Sequence, residues 1–292
     1  MINYNSATAL RSFLDEENLG MRKKFGQNFL INPQVRLSLV SALDAQVSDE
    51  VWEVGPGLGA MTALLLEKGL AVKAFEIDAG FIRILKRIFS QEKNFSLVEG
   101  DVMKTWSGQQ SAPFLLGNLP YNVGAALLAD LIEKGRTFSR IVVTVQKEVA
   151  LRMSASAGSP DYSSFSVLCA SAYKVKPLMV IRPSSFYPQP NVDSMGVLLE
   201  KRDEDAPPAV FFQLVRALFS SRRKTIKNNL SAFCASRFGS TAFCADILRE
   251  NALTGMERAE DFPLEVFLSL AKTIENMRIL NRDVNSGKHS KN

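Results

Sequence analysis

Short apolar runs alternate with segments of helical period along the first half of the chain. "VWEVG" (51–55), "AVKAFEI" (71–77), "FSLVEG" (95–100), "PFLLGN" (113–118) and "RIVVTVQ" (140–146) are brief and rich in β-branched and aromatic residues. They predict strands. Between them, "AMTALLLEKG" (60–69), "GFIRILKRIFS" (80–90) and "GAALLADLIEKG" (124–135) predict helices, the first and last stopped by Gly69 and Gly135. This rhythm predicts an α/β fold: a mostly parallel sheet with helices on both faces. The rhythm then breaks. "SAYKVKPLMVI" (171–181) and "SMGVLLEK" (194–201) read as strands joined by the Pro- and Ser-rich loop "RPSSFYPQPNVD", which predicts an antiparallel hairpin closing one sheet edge. "RDEDAPP" (202–208) reads as a linker, and only helical patterns follow it. The expected division is a larger domain over 1–203 and a smaller, all-helical C-terminal domain over 209–292.

Composition narrows the chemistry. No apolar run among the 292 residues approaches ~18, so no membrane span is expected. The N-terminus carries Asp15, Glu16 and Glu17 and has no apolar core, which argues against a secretion signal or a transit peptide. Cys169, Cys234 and Cys244 are scattered, without a Cys-x-x-Cys pair; neither a disulfide framework nor a metal site is expected, and a cytoplasmic setting fits. The one histidine, His289, lies in the polar tail, so chemistry needing a histidine base or ligand is nearly excluded. Net charge is +5, and its distribution says more than its size. Three stretches are basic and acid-free: 19–43 with Arg22, Lys23, Lys24 and Arg36; 162–192; and 209–245 with Arg216, Arg222, Arg223, Lys224, Lys227 and Arg237. They suit a polyanionic partner, although solvated helix faces read the same way.

"EVGPGLGA" follows the first strand and opens a helix. Gly55, Gly57 and Gly59 leave a loop poor in side chains, against which a ligand can press. Alone it is also a tight turn. Glu76, 21 residues after Gly55 and at the end of the second strand, can accept both hydroxyls of a ribose. Asp101, just past the third strand, can accept from an adenine amino group. Three successive strand ends equipped in this way predict an adenosine-type ligand. No second basic residue for a diphosphate is evident, so S-adenosylmethionine fits better than NAD.

"NLPY" (118–121) ends the fourth strand. An exocyclic amine on a base is a poor nucleophile, because its lone pair is delocalised into the ring. Acceptors that draw its N–H groups out of plane would activate it. Asn118 offers a side-chain carbonyl; Pro120 fixes a turn that can aim a backbone carbonyl, of Leu119 or its own, at the same point. Tyr121 offers a stacking face worth ~1–3 kcal/mol. Neither a metal nor a strong base is required.

"FGQNFL" (25–30), "EVGPGLGAMT" (53–62), "FEID" (75–78), "GDV" (100–102) and "NLPYNV" (118–123) together resemble the ordered motifs of the KsgA family, the small-subunit ribosomal RNA adenine dimethyltransferases. "FYPQPNVDS" (186–194) and "FSSRRKTIKNNL" (219–230) resemble its later motifs. The resemblance implies a Rossmann-like methyltransferase domain and a helical domain that binds RNA or the ribosome. It implies that two adjacent adenosines near the 3′ end of 16S RNA are dimethylated at N6, with S-adenosylmethionine leaving as S-adenosylhomocysteine. For the cofactor it implies Asn28 and Leu30, which close over it, with Gly55, Gly57, Glu76, Ile77, Asp101, Val102 and Asn118. For the target base it implies Asn118, Leu119, Pro120 and Tyr121, with Phe186 opposite Tyr121. RNA contacts are expected at Lys23 and Lys24, and at Arg222, Arg223, Lys224 and Lys227, the last four on one helix. The partner is the small subunit or its precursor particle, and nothing requires more than a monomer. Where the family commonly has a Tyr-Gly pair, "YSSFSV" (162–167) departs from it, and a loop change is expected there.

Rival readings are a large-subunit RNA methyltransferase, which usually reads Ile-Pro-Tyr at 119–121, a non-catalytic RNA-binding assembly factor, and, more distantly, a nicotinamide dehydrogenase.

Overall fold

The computed structural model describes residues 2–20, 27–120 and 123–286, with side chains as far as Met277. The chain forms two compact units, Met1–Leu151 with Tyr173–Lys201, and Arg152–Ala172 with Arg202–Asn292. A single cut at 203–209 leaves 152–172 with the sheet, whereas the structure groups it with the helices. Among the described residues, no helix is long and apolar enough to cross a membrane.

In chain order the first unit runs α1 (Ala7–Glu16), β1 (Phe29–Leu30), α2 (Pro33–Ala42), β2 (Glu50–Val54), α3 (Ala60–Glu67), β3 (Ala71–Glu76), α4 (Ala79–Ile88), β4 (Phe95–Glu99), α5 (Val102–Thr105), β5 (Phe114–Asn118), α6 (Gly124–Glu133) and β6 (Arg140–Gln146). After α7 (Lys147–Ser154) and α8 (Ser164–Ala172) come β7 (Tyr173–Ile181), β8 (Phe186–Tyr187) and β9 (Ser194–Lys201). The seven-stranded sheet has the order β4-β3-β2-β5-β6-β9-β7. Its first five strands are parallel, and β9 pairs antiparallel with both β6 and β7. The expected hairpin is therefore present at one edge, with β9 the inner strand. The chain crosses from β2 to β3 on one side and reaches β5 on the other, so a topological switch point lies between β2 and β5, where α/β sheets bind ligands.

Side-chain alternation sets the two faces. Val51 of β2, Val72 and Ala74 of β3, Leu116, Val142 and Leu198 share one core with Leu39 and Val40 of α2 and with Met61 and Leu65 of α3. Trp52, on the opposite face, packs against Phe75 and Phe138 at 4.8 and 5.3 Å between ring centroids. Sequence rhythm left α1 and α2 unread. Yet α2 carries a strong start signal: Asn32 accepts from Gln34 and Val35 N–H as N-cap, and Pro33 follows it.

The second unit is helical: α8, α9 (Phe211–Leu218), α10 (Ile226–Phe238), α11 (Phe243–Glu250) and α12 (Leu264–Ser286). Tyr162 and Val167 belong to its core, with Phe211, Leu214, Leu230, Ile247, Phe267 and Ile274. The Tyr162 hydroxyl donates to the Phe262 carbonyl at 2.9 Å. This burial draws 152–172 into the unit, and the stretch expected as an altered loop leads directly into α8. All three cysteines are buried and free.

Candidate functional site

A cleft of about 160 Å³ opens over the switch point. The sequence places its functional groups at the carboxyl ends of four adjacent strands, and register brings them side by side. Val54 pairs with Phe75 and Gly117, and Glu76 pairs with Glu99. Asn28, Leu30, Gly55, Gly57, Glu76, Ile77, Asp101, Val102, Asn118 and Pro120 all line the cleft.

The glycine loop must be bare. Gly57 has φ +59°, and a Cβ there would stand 3.0 Å from the Phe29 ring. Gly59, the N-cap of α3, has φ +88°, and a Cβ there would meet the Phe89 ring at 2.6 Å. Both positions need left-handed backbone and close approach, which only glycine supplies cheaply.

Glu76 is 5% exposed. Its Oε2 accepts from Gly57 N–H at 3.1 Å; its Oε1 accepts from Ile77 and Asp78 N–H at 2.9 and 2.8 Å. Burial pushes its carboxyl up to about 7, against the pull of those three N–H groups, and nearby Asp78 adds a smaller push upward. The carboxylate is thus fixed in place with unspent acceptor capacity. Asp101 caps α5, accepting from Met103 N–H at 3.0 Å.

Asn118 is oriented by its own amide: Nδ2 donates to the Asn28 carbonyl at 2.8 Å. That bond joins the strand end to the Asn28–Leu30 segment and leaves Oδ1 as the end that can receive an N–H. Leu119 is buried, its N–H bonded to the Thr144 carbonyl at 3.1 Å. The Pro120 carbonyl accepts from Val123 and Gly124 N–H at 2.9 and 3.1 Å. It is occupied in starting α6, whereas Leu119 does not itself line the cleft, so of the two carbonyls expected to face an amine one is already bonded and the other belongs to a buried residue. Tyr121 lies outside the described residues, as do Lys23 and Lys24.

Phe186 departs from expectation. It does not line the cleft; at 2% exposure it sits in the apolar core. It pairs with Leu30 in the two-stranded β1–β8 ribbon, beside Phe29 and Tyr187. That pairing sets it against Leu30 in the same core, on the segment that carries Asn28.

The basic segment departs too. Arg222, Arg223 and Lys224 precede α10, which starts at Ile226, so the expected one-helix face with Lys227 does not form. Asn229 explains the turn: its Nδ2 donates to the Leu218 and Ser221 carbonyls at 2.8 and 3.2 Å. Arg222 is committed within its own unit, pairing with Glu260 at 3.0 Å and donating to the Tyr162 and Pro160 carbonyls. Arg223, Lys224 and Lys227 are exposed.

Sequence reading missed a buried acid. Glu53 is 0% exposed beneath the glycine loop; Thr62 donates to its Oε2 at 2.6 Å, while Oε1 has no partner. Burial pushes its carboxyl up to about 7, Thr62 opposes this, and Glu76 adds to it. The one available signal was an acid at an inward position of "VWEVG".

A family model described as ribosomal RNA adenine dimethylase matches residues 18–272, beginning beyond α1. A protein named ribosomal RNA small subunit methyltransferase A from Treponema denticola is 45% identical over 290 residues, covering 94% of this chain and 97% of the relative. One of the same name from Borreliella burgdorferi is 38% identical over 94% of this chain and 95% of its own. Among solved structures, a dimethyladenosine transferase from Plasmodium falciparum matches with TM-score 0.68 and 27% identity, over 82% of this chain and 94% of that one. The 23S rRNA methyltransferase ErmE matches with TM-score 0.61 at 19% identity, over 83% of this chain and 98% of that one, a likeness of fold.

Proposed function

The chain belongs to the ribosomal RNA adenine dimethylase family, and from that premise we propose how its cleft serves S-adenosylmethionine-dependent dimethylation of adenine in small-subunit ribosomal RNA. The observation that carries the reading is the convergence of Gly57, Glu76, Asp101 and Asn118 at four neighbouring strand ends, with the Asn118 amide already oriented by Asn28. When bound, S-adenosylmethionine supplies an activated methyl group. Glu76 accepts the ribose hydroxyls, Asp101 and Val102 border the adenine with Ile77, and Gly55 and Gly57 let backbone approach the ligand. Asn28 and Leu30 form the opposing wall.

Asn118 Oδ1 and the Leu119 carbonyl accept the N–H groups of the target amine and hold its lone pair toward the methyl group. They also stabilise the positive charge that grows on nitrogen, so catalysis is positioning plus preorganised electrostatics. Tyr121 supplies the stacking face for a base taken out of its RNA. We assign RNA contacts to Lys23, Lys24, Arg223, Lys224 and Lys227. The finer reading is that the targets are two adjacent adenosines near the 3′ end of 16S RNA, in the small subunit or its precursor, and that the enzyme works in the cytoplasm as a monomer.

Labelled methyl transfer to small-subunit particles, followed by nucleoside analysis, tests this. N6,N6-dimethyladenosine in small-subunit RNA is the expected product. Label in large-subunit RNA alone, or binding without transfer, would overturn it.

A further inference from the structure

Residues 4 and 5, ahead of the segment that carries the family match, tie together the two stretches of chain that wall the cleft. On one side the Tyr4 hydroxyl donates to the Leu58 carbonyl, inside the glycine loop, at 3.0 Å. On the other, the Arg36 guanidinium donates to the Leu30 carbonyl at 2.6 Å, to the Tyr4 carbonyl at 3.2 Å and to Asn5 Oδ1. Leu30 closes the Asn28–Leu30 wall, and the glycine loop is the wall facing it. Tyr4, Leu10 and Arg36 themselves line the cleft.

The clasp is costly to build, which argues for a purpose. Arg36 is only 5% exposed, and the groups bonded to it are neutral oxygens. Burial lowers its pKa. Its buried Nε has no partner, so the cation depends all the more on the bonds that its other two nitrogens make, and two of the three acceptors belong to residues 4 and 5. The hydroxyl end is equally committed. Burial first, and then Glu53, push Tyr4 up to about 12 while Arg36 pulls it down, so it stays a donor at neutral pH. Behind it, Leu10 and Leu14 of α1 pack with Leu58, Phe81 and Ile84, which seats the N-terminal segment on the loop it ties.

We propose that Tyr4 and Arg36 are positioning residues for S-adenosylmethionine, holding the glycine loop and the Asn28–Leu30 segment at the spacing that grips the ligand. The proposal rests on the functional reading above and adds two residues to it. It accounts for an N-terminal helix that brings no reactive group of its own to the cleft. A hydrogen bond of this kind shifts an equilibrium by about threefold to tenfold.

The test is calorimetric binding of S-adenosylhomocysteine to the full chain, with steady-state kinetics beside it. Tyr4→Phe keeps the ring and removes the donor. It should raise Kd and the KM for S-adenosylmethionine by about threefold to tenfold, with kcat at saturation held within about twofold. Asn5 is exposed, so Asn5→Ala leaves the core alone, and a rise of about twofold to fourfold is expected. If Tyr4→Phe fails to fold, Asn5→Ala and Arg36→Lys decide. Unchanged Kd in the folded variants, even with a lower melting temperature, makes the clasp a matter of stability and overturns the proposal. No binding by the unaltered protein would instead overturn the functional reading, so the two failures are distinct.

Discussion

Asn118 and Glu76 line the same cleft, and the proposed function gives them different stages of the reaction. Asn118 holds its amide against the Asn28 carbonyl and presents Oδ1, an acceptor that matters most when charge develops on the attacking nitrogen. Asn118→Ala should therefore keep S-adenosylhomocysteine affinity within about threefold while kcat falls by about 100-fold or more, as when a preorganised group in an active site is removed. Calorimetry and single-turnover transfer on the same preparation check it, and parallel losses would place Asn118 in binding alone. The proposed function gives Glu76 a part in binding. Its carboxyl, raised to about 7, is only partly ionised at neutral pH, and a ribose is held best by the ionised form. Affinity for S-adenosylhomocysteine should rise from pH 6 to pH 8 and level off once Glu76 is ionised. Glu76→Gln should bind more weakly and lose most of that slope. A titration by calorimetry across this range is the measurement.

At the scale of elements, the turn before α10 separates two roles that spacing alone merged. Arg222 pins that turn to Glu260 and to the Pro160 and Tyr162 carbonyls, so Arg222→Ala should lower the melting temperature by a few degrees, with a cost of about 1–3 kcal/mol. Arg223, Lys224 and Lys227 face solvent. Replacing these three with Ala should leave melting nearly unchanged and weaken particle binding, reducing the salt slope by about one unit for each phosphate no longer neutralised. Filter binding at several salt concentrations checks it; an unchanged slope would assign the three to solvation. The same contrast explains why the motif was legible and its geometry was not. Basic residues at i and i+4 predict one face only if the helix has begun, and here Asn229 spends its amide on holding the preceding turn open.

Across the whole molecule, stability should depend on pH through Glu53. Its folded value, about 7, lies above the ordinary 4.5. Between those limits the folded chain binds more protons than the unfolded one, so stability falls as pH rises from about 4.5 to about 7 and then levels off for this group. The melting temperature of the ligand-free protein should fall from pH 5 to pH 7.5, and Glu53→Gln should flatten part of the decline. The division into units makes another expectation. A fragment starting at Arg202 lacks Tyr162 and Val167, which are core residues of the helical unit, and it should melt poorly or not at all. Supplying 152–172 by fusion should restore cooperative unfolding by circular dichroism.

The strands β2 to β6, the edge hairpin and the glycine loop were legible in the chain because period, strand-end acids and glycine spacing are local properties. So was the meeting of Glu76, Asp101 and Asn118 at one cleft, since a parallel sheet carries the ends of neighbouring strands to one side. Tertiary structure alone decided the rest. Phe186 was expected beside a base, and its pairing with Leu30 turns it inward; burial of an aromatic depends on what lies across from it. Residues 152–172 join the helices because Tyr162 and Val167 find their apolar partners there. The tie from Tyr4 to Leu58 spans 54 residues and that from Arg36 to Tyr4 spans 32, and no periodicity reports a contact between segments so far apart. Sequence pattern specifies which residues want to be buried or hydrogen-bonded; which partner satisfies each of them is settled only when the chain closes on itself.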